Sequence, residues 1–311
     1  MTIAVIGAGG MGGLFGGLLW MAGEGVVLID RGEHLKAIQS QGLTLKTAGP
    51  RAFVVDVPAT DDPEGIGRVD LLIFCVKTYD LETAAAAAAP LVGPESVVLP
   101  VQNGIAAPDR LGEVLGAEKV IGGVSYHQGA IEAPGVISYG GVEGKLYLGE
   151  LGGGGSGRVE RVRRLLCDAG IDSEIHPDIR LAMWEKLVLI CATGGVMAYY
   201  RRPIGPLLED MEARSLLLGV MKEAELVARA RGIALPEGTA ERHLAFIEKR
   251  FTPDTRSSQL EDILAGRRLE VESLNGEVVR LGRKLGVETP LNRKVYDALK
   301  PYAAGSGSSA E

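Results

Sequence analysis

Apolar residues recur along this chain in two rhythms. In the first half they come as short continuous runs. Thr2–Ile6, Val26–Ile29, Val69–Val76 and Ser96–Leu99 read as strands of a parallel sheet covered on both faces. Helical spacing over Leu14, Phe15, Leu18, Leu19 and Ala22, over Glu33–Gln41, over the alanine-rich Leu81–Ala89 and over Ala107–Leu115 predicts helices between and after them, with Gly23, Gly42 and Pro90 as stops. Leu43–Lys46, Ala52–Val55 and Val120–Val124 are further short strands, and residues 56–67 a loop rich in Asp, Pro and Gly. Ala130-Ile131, Val136–Tyr139 and Lys145–Leu148 alternate between glycines, which predicts antiparallel strands. A glycine loop over 152–157, a helix over Arg158–Ala169 and a last strand over Ser173–Ile175 follow. Beyond Pro177 only helical spacing remains, over 178–200, Leu207–Arg231, Thr239–Arg250, Ser257–Leu285 and Asn292–Tyr302. The pattern predicts an α/β domain over 1–177, an all-α domain over 178–304 and a Gly/Ser-rich tail over 305–311.

The first strand, the glycine cluster Gly7-Ala8-Gly9-Gly10-Met11-Gly12, the helix behind it and the strand ending at Asp30-Arg31 form a strand–turn–helix–strand unit. Such a unit binds a dinucleotide. Gly7 permits the tight turn, Gly9 lets a pyrophosphate approach the backbone, and Gly12 lets the helix pack close to the sheet. The helix start offers unpaired N–H groups and a partial positive charge. A carboxylate after the second strand suits the ribose hydroxyls of NAD, and an arginine there suits the 2′-phosphate of NADP. Asp30 and Arg31 supply both in succession.

Composition narrows the picture. A net charge of −7 over 311 residues argues against nonspecific nucleic-acid binding. The sequence shows no secretory leader, and its apolar runs are too interrupted to span a membrane, so a cytoplasmic protein is expected. Cys75, Cys167 and Cys191 are scattered in apolar contexts and read as reduced core cysteines. His34, His127, His176 and His243 lack metal-ligand spacing and read as surface or loop residues, so no metal site is expected.

Candidate chemistry lies at strand ends and in the helical half. Lys77 follows the Val69–Val76 run, where α/β sheets present their ligands. Asn103-Gly104 follows the next strand and is either a nicotinamide-facing pair or an ordinary turn. Lys186 stands in an apolar helix among Leu181, Leu187, Leu189 and Ile190. A lysine there either snorkels its charge outward or serves as an acid. Ser257 through Asp262 and Gly266 through Gly276 are denser in polar residues than a packing helix requires, unless they form a solvated face.

Together these residues resemble the ketopantoate reductase family. The matches are Gly7 to Gly12, Arg31 to Leu35, Val76 to Tyr79, Gln102 to Gly104, Asp178 to Arg180, Trp184 to Leu187, Ser257-Ser258 with Asp262, and Glu270 through Gly276. They follow the family's order over nearly the whole chain. The resemblance implies a Rossmann-type domain, a helical domain and an active site between them. It implies hydride transfer from NADPH to the ketone of 2-dehydropantoate, giving pantoate for coenzyme A synthesis. It assigns Lys186 as general acid, Glu270 as the acidic residue that binds the substrate hydroxyl and poises the lysine, and Ser258 as a substrate-carboxylate contact. Asn103 would position nicotinamide and substrate, and Arg31 and Lys77 would meet the 2′-phosphate end.

Two features depart from the family pattern. Its well-studied members carry asparagines one and two helical turns after the lysine, where this chain has Ile190 and Gly194. Asp30 precedes Arg31. These departures keep open a paralogue that reduces another branched 2-keto acid, with NADH as the alternative cofactor. A dehydrogenase of the 6-phosphogluconate type would need paired asparagines close behind the lysine, and Leu187–Ile190 lacks them. A non-catalytic nucleotide sensor would have no use for Lys186, Glu270 and Ser258 together. The apolar helices after Leu207 could pack within the domain or form a homodimer.

Overall fold

The structure, a computed structural model, describes residues 1–47, 49–140 and 144–305. The chain divides into two compact units, one of residues 1–102 and 106–182, the other of residues 103–105 and 183–311.

The first unit is built on a parallel sheet. Its strands are β1 (Thr2–Ile6), β2 (Gly25–Ile29), β5 (Ala59–Thr60), β6 (Val69–Phe74) and β7 (Val92–Pro100), in the order β5-β2-β1-β6-β7. β1 lies between β2 and β6, with Ile6 opposite both Ile29 and Phe74. β1 and β6 are buried on both sides, which is why they read as unbroken apolar runs rather than as alternation. Helices α1 (Gly10–Met21), α2 (Gly32–Gln41), α3 (Leu81–Ala88) and α4 (Ala107–Leu115) follow strand ends or connections. One core gathers Phe15, Leu19, Leu28, Leu71 and Ile73, and the other Ile6, Leu72, Phe74 and Leu111.

Two smaller sheets complete the unit. β3 (Leu43–Thr47), β4 (Ala52–Val55), β9 (Gly129–Ala133) and β10 (Val136–Tyr139) run in the order β4-β3-β10-β9. β8 (Gly122–Ser125), β11 (Leu146–Gly149) and β12 (Ser173–Ile175) form the other, with α5 (Gly157–Asp168) beside it. The antiparallel expectation holds for β9 with β10 and for β8 with β11, but β10 runs parallel to β3 and β11 parallel to β12. Alternation identifies a half-buried strand without naming its neighbour.

The fold corrects several sequence boundaries. β7 extends back through Pro94 to Val92, because it is an edge strand and its missing N–H costs no ladder bond. The β6–β7 pairing shifts register between Val69 and Leu71, next to this extension. The loop over 56–67 contains the two-residue strand β5.

The second unit is helical: the body of α6 (Ile179–Tyr200), α7 (Ile204–Glu209), α8 (Met211–Ala230), α9 (Thr239–Arg250), α10 (Ser258–Leu264), α11 (Asn275–Leu285) and α12 (Pro290–Leu299). Asp210 splits the expected Leu207–Arg231 helix by capping α8 through the N–H groups of Glu212 and Ala213. Residues 265–274 are not helical, because Gly266 turns left-handed (φ 67°) after α10. α6 is long and apolar enough to cross a membrane, with mean hydropathy 1.5, yet 78% of that stretch is buried inside the fold. Gly305, the first residue of the expected tail, is held by its N–H donating to the Tyr302 carbonyl (3.0 Å). The rest of the expected tail lies outside the described residues.

A polar knot ties four of these helices. Asn275, fully buried, donates its amide to the Cys191 carbonyl (3.1 Å) and to Asn292 Oδ1 (3.0 Å). Asn292 donates to Glu223 Oε2 (2.8 Å) and to the Val220 carbonyl (3.0 Å). Glu223 also accepts the backbone N–H groups of Leu291 and Asn292, both at 2.8 Å. The amide donors of Asn275 and Asn292 and the Glu223 carboxylate find partners on other helices, while Asn275 Oδ1 has none among the described residues.

Candidate active site

In the first unit the glycine turn stands at the carboxyl end of β1. The Gly7 N–H donates to the Ile29 carbonyl (2.8 Å), and its φ of 93° is open only to glycine at little cost. A side chain on Gly12 would collide with the Gly7 carbonyl and with Cys75, so this glycine brings α1 onto the sheet. Gly9 differs. A Cβ there would meet only Ile131 Cδ1, at 4.0 Å, and its φ of −60° suits any residue. No described residue crowds a side chain at position 9, so the space beside this glycine is open at the turn. α1 begins with no side-chain cap and no acidic residue in its first turn. Its first N–H groups therefore remain for an anion, and a dinucleotide pyrophosphate fits them.

Ala8 is clamped from both sides. Its N–H donates to Asp30 Oδ2 (3.0 Å), and its carbonyl meets His34 Nε2 (3.1 Å). His34 Nδ1 accepts from the Gly135 N–H (3.0 Å), which leaves Nε2 as the protonated nitrogen. His34 is thus a brace of the glycine turn, not the surface residue expected. His127 and His243 are also half-buried. His127 stands edge-on to Phe15 at 5.3 Å, and His243, within α9, bonds the Glu185 backbone. His176 caps a loop, accepting from the Asp178 N–H (3.1 Å). No grouping of His, Cys, Asp and Glu suited to a metal occurs among the described residues.

The other oxygen of Asp30 accepts the Arg31 N–H (2.8 Å). Both carboxylate oxygens are therefore engaged with backbone. The Arg31 guanidinium is exposed and pairs with Asp80 at 2.8 Å. Lys77 is half-buried just beyond β6, at the head of a short 3₁₀ turn. The thiols of Cys75 and Cys191 are pushed well up by burial, and the Cys167 thiol donates to the Ser173 carbonyl. All three cysteines are unpaired thiols.

In the second unit the sequence candidates converge on α6 and α10–α11. Lys186 is half-buried between Glu185 and Leu187, beside the buried Trp184. Burial pulls its ammonium down to about 8, and the Glu270 carboxylate pulls partly the other way. Glu270 is itself only 5% exposed, in the non-helical stretch before α11. Asn103 lies in the segment 103–105, which packs with this unit although the residues on either side belong to the sheet unit. Gly104 takes φ 93°, and a side chain there would press on the Ser273 carbonyl at 2.9 Å. Ser258 is exposed at the first turn of α10, whose cap is Ser257 accepting from the Leu260 N–H (3.2 Å).

The polar stretch around these residues is not a solvated face. Gln259, Asp262, Glu270, Asn275 and Glu277 are all buried. Density of polar residues was the sequence signal, but which of them turn inward is set by the end of α10 at Gly266. Gln259, His34 and the two hydrogen bonds that Asp30 accepts carried no separate signal.

Comparison with known proteins gives the site its context. The family model described as ketopantoate reductase PanE/ApbA matches residues 3–153, and its C-terminal counterpart matches residues 178–303. A 2-dehydropantoate 2-reductase of Pyrococcus abyssi is 33% identical, over 99% of this chain and 99% of that protein. A crystal structure of a PanE/ApbA family ketopantoate reductase from Ralstonia eutropha has 32% identity and a TM-score of 0.89, covering 97% of this chain and 98% of that one. A D-mandelate dehydrogenase in complex with NADH has 25% identity and a TM-score of 0.87, covering 97% of this chain and 99% of that one.

Proposed function

Because the chain belongs to the ketopantoate reductase family of NAD(P)-dependent oxidoreductases, we propose that it reduces 2-dehydropantoate to pantoate with NADPH, using Lys186 as proton donor. The observation that carries this reading is Lys186 itself, an ammonium drawn to about 8 by burial beside the buried Glu270. An acid works best with a pKa near the working pH, and a solvated lysine lies well above it.

When bound, the nicotinamide supplies a hydride to the carbonyl carbon. Lys186 then releases a proton to the carbonyl oxygen as negative charge collects there, so the transition state meets a preformed cation. Glu270 keeps Lys186 in its ammonium form and accepts from the substrate hydroxyl. The Ser258 hydroxyl donates to the carboxylate, and Asn103 orients the carbonyl. The start of α1, with bare Gly9, holds the pyrophosphate. Arg31 and Lys77 hold the 2′-phosphate, Arg31 exchanging Asp80 for it. Since Asp30 already serves the Ala8 and Arg31 N–H groups, ribose binding is not needed to account for it.

A second reading is another branched 2-keto acid reduced with NADH: Ile190 and Gly194 on the stripe after Lys186 favour the other substrate, and Asp30 before Arg31 favours the other cofactor. Steady-state oxidation of NADPH and NADH, measured in parallel with 2-dehydropantoate and a panel of branched and aromatic 2-keto acids, separates the two. We expect NADPH with 2-dehydropantoate to give the highest kcat/KM. A higher value for NADH with another keto acid establishes the second reading instead.

A further inference from the structure

Gln259 is 2% exposed, and neither Nε2 nor Oε1 of its amide has a hydrogen-bond partner among the described residues. An unpaired buried amide is costly, so the position calls for a partner from outside the chain. Its Nε2 lies 3.1 Å from where a Cβ on Gly194 would sit, and Leu274 Cδ1 lies 3.8 Å from the same point. The amide thus packs into the space that glycine leaves. Lys186, Ile190 and Gly194 follow one another at single helical turns along one stripe of α6. The asparagine amides that related reductases carry on this stripe are absent. A single amide reaches the same stripe from α10 instead.

We propose that Gln259 is a specificity-determining residue that binds the hydroxyl of a hydroxylated branched 2-keto acid; this rests on the keto-acid reductase reading. The untied amide can turn to present either Nε2 or Oε1. A hydroxyl answers either orientation, because it both accepts and donates. A carboxylate answers only Nε2, and a methyl group answers neither. With Glu270 taking the hydroxyl hydrogen, the oxygen lone pairs accept from Nε2. Gly194 is the complementary half of the device, since any side chain there would crowd the amide.

The test compares kcat/KM for 2-dehydropantoate and for its deoxy counterpart, 3,3-dimethyl-2-oxobutanoate, at saturating NADPH. The proteins are wild type, Gln259→Met and the double variant Gln259→Met/Gly194→Asn. Methionine keeps the length of glutamine without its donors. Wild type is expected to prefer the hydroxylated acid by about 30-fold or more. Gln259→Met lowers kcat/KM for that acid by about 10- to 100-fold, chiefly through KM, and for the deoxy acid by less than about 3-fold. The double variant, with an amide back on α6, recovers part of the preference. The melting temperature of Gln259→Met equals or exceeds that of wild type, since an unpaired amide has gone. Equal losses on both acids, or a melting temperature that falls, assign Gln259 a packing role and overturn the proposal. So does a wild type that turns over both acids without preference, which leaves the reductase reading intact. A wild type inactive on both acids overturns that reading, and this inference with it.

Discussion

Two opposing influences meet at Lys186: burial removes its proton, and Glu270 retains it. The ammonium is the acid form, so kcat/KM for the keto acid should fall as pH rises through about 8. Glu270→Gln deletes the influence that raises the lysine, and the inflection should move to lower pH. A pH–rate profile of wild type and variant checks both; an inflection that stays in place shows that Glu270 does not poise the lysine. Gly9 offers a second test at this scale. Because nothing in the protein occupies the space of its side chain, Gly9→Ala should leave thermal stability within about 0.5 kcal/mol while weakening NADPH about tenfold or more. Calorimetric melting and a fluorescence titration of NADPH measure the two effects separately. His34→Ala should also weaken NADPH, through Ala8, although His34 is assigned no contact with the cofactor. Of these residues the sequence pointed to Gly9, and by resemblance to Lys186 and Glu270. The role of His34 depends on Gly135, 101 positions away, and no local pattern encodes that pairing.

Elements were legible where burial is uniform and obscure where it is mixed. β1 and β6 stood out because both faces are covered, and α2 because Gly42 (φ 76°) ends it. The extension of β7 through Pro94 was hidden, since proline is admissible only once the strand is known to be an edge. Glu270 read as helical because the polar stretch continues the spacing of α10, and Gly266 alone marks the break. The knot of Asn275, Asn292 and Glu223 was invisible for a related reason: its partners lie on α6, α8, α11 and α12. It carries a strong expectation. Asn275→Ala should cost about 2–4 kcal/mol, since it removes two bonds and leaves Asn292 short of a donor inside the core. Gly195→Ala should destabilise as well, because the new Cβ would run into Asn275 Oδ1. Urea unfolding midpoints measure both, and changes under about 0.5 kcal/mol would show that the knot contributes little.

At the scale of the whole molecule, the groups proposed to hold the cofactor's phosphates and the proposed proton donor belong to different units of the chain. The glycine turn, Asp30, Arg31 and Lys77 belong to the sheet unit, and Lys186, Glu270, Ser258 and the segment containing Asn103 belong to the helical unit. Loss of the acid should therefore spare cofactor affinity. The architecture was readable in outline because the change from strand runs to helical spacing near Pro177 is abrupt. The excursion of residues 103–105 into the helical unit was not readable, since Asn-Gly is also an ordinary turn. The most direct test is single-turnover oxidation of bound NADPH by 2-dehydropantoate in wild type and Lys186→Ala, with NADPH affinity measured on the same samples. Unchanged affinity and a rate about 10² to 10⁴ times lower in the variant are expected. An undiminished rate with NADPH bound would contradict this role for Lys186, because the proton would then come from another group.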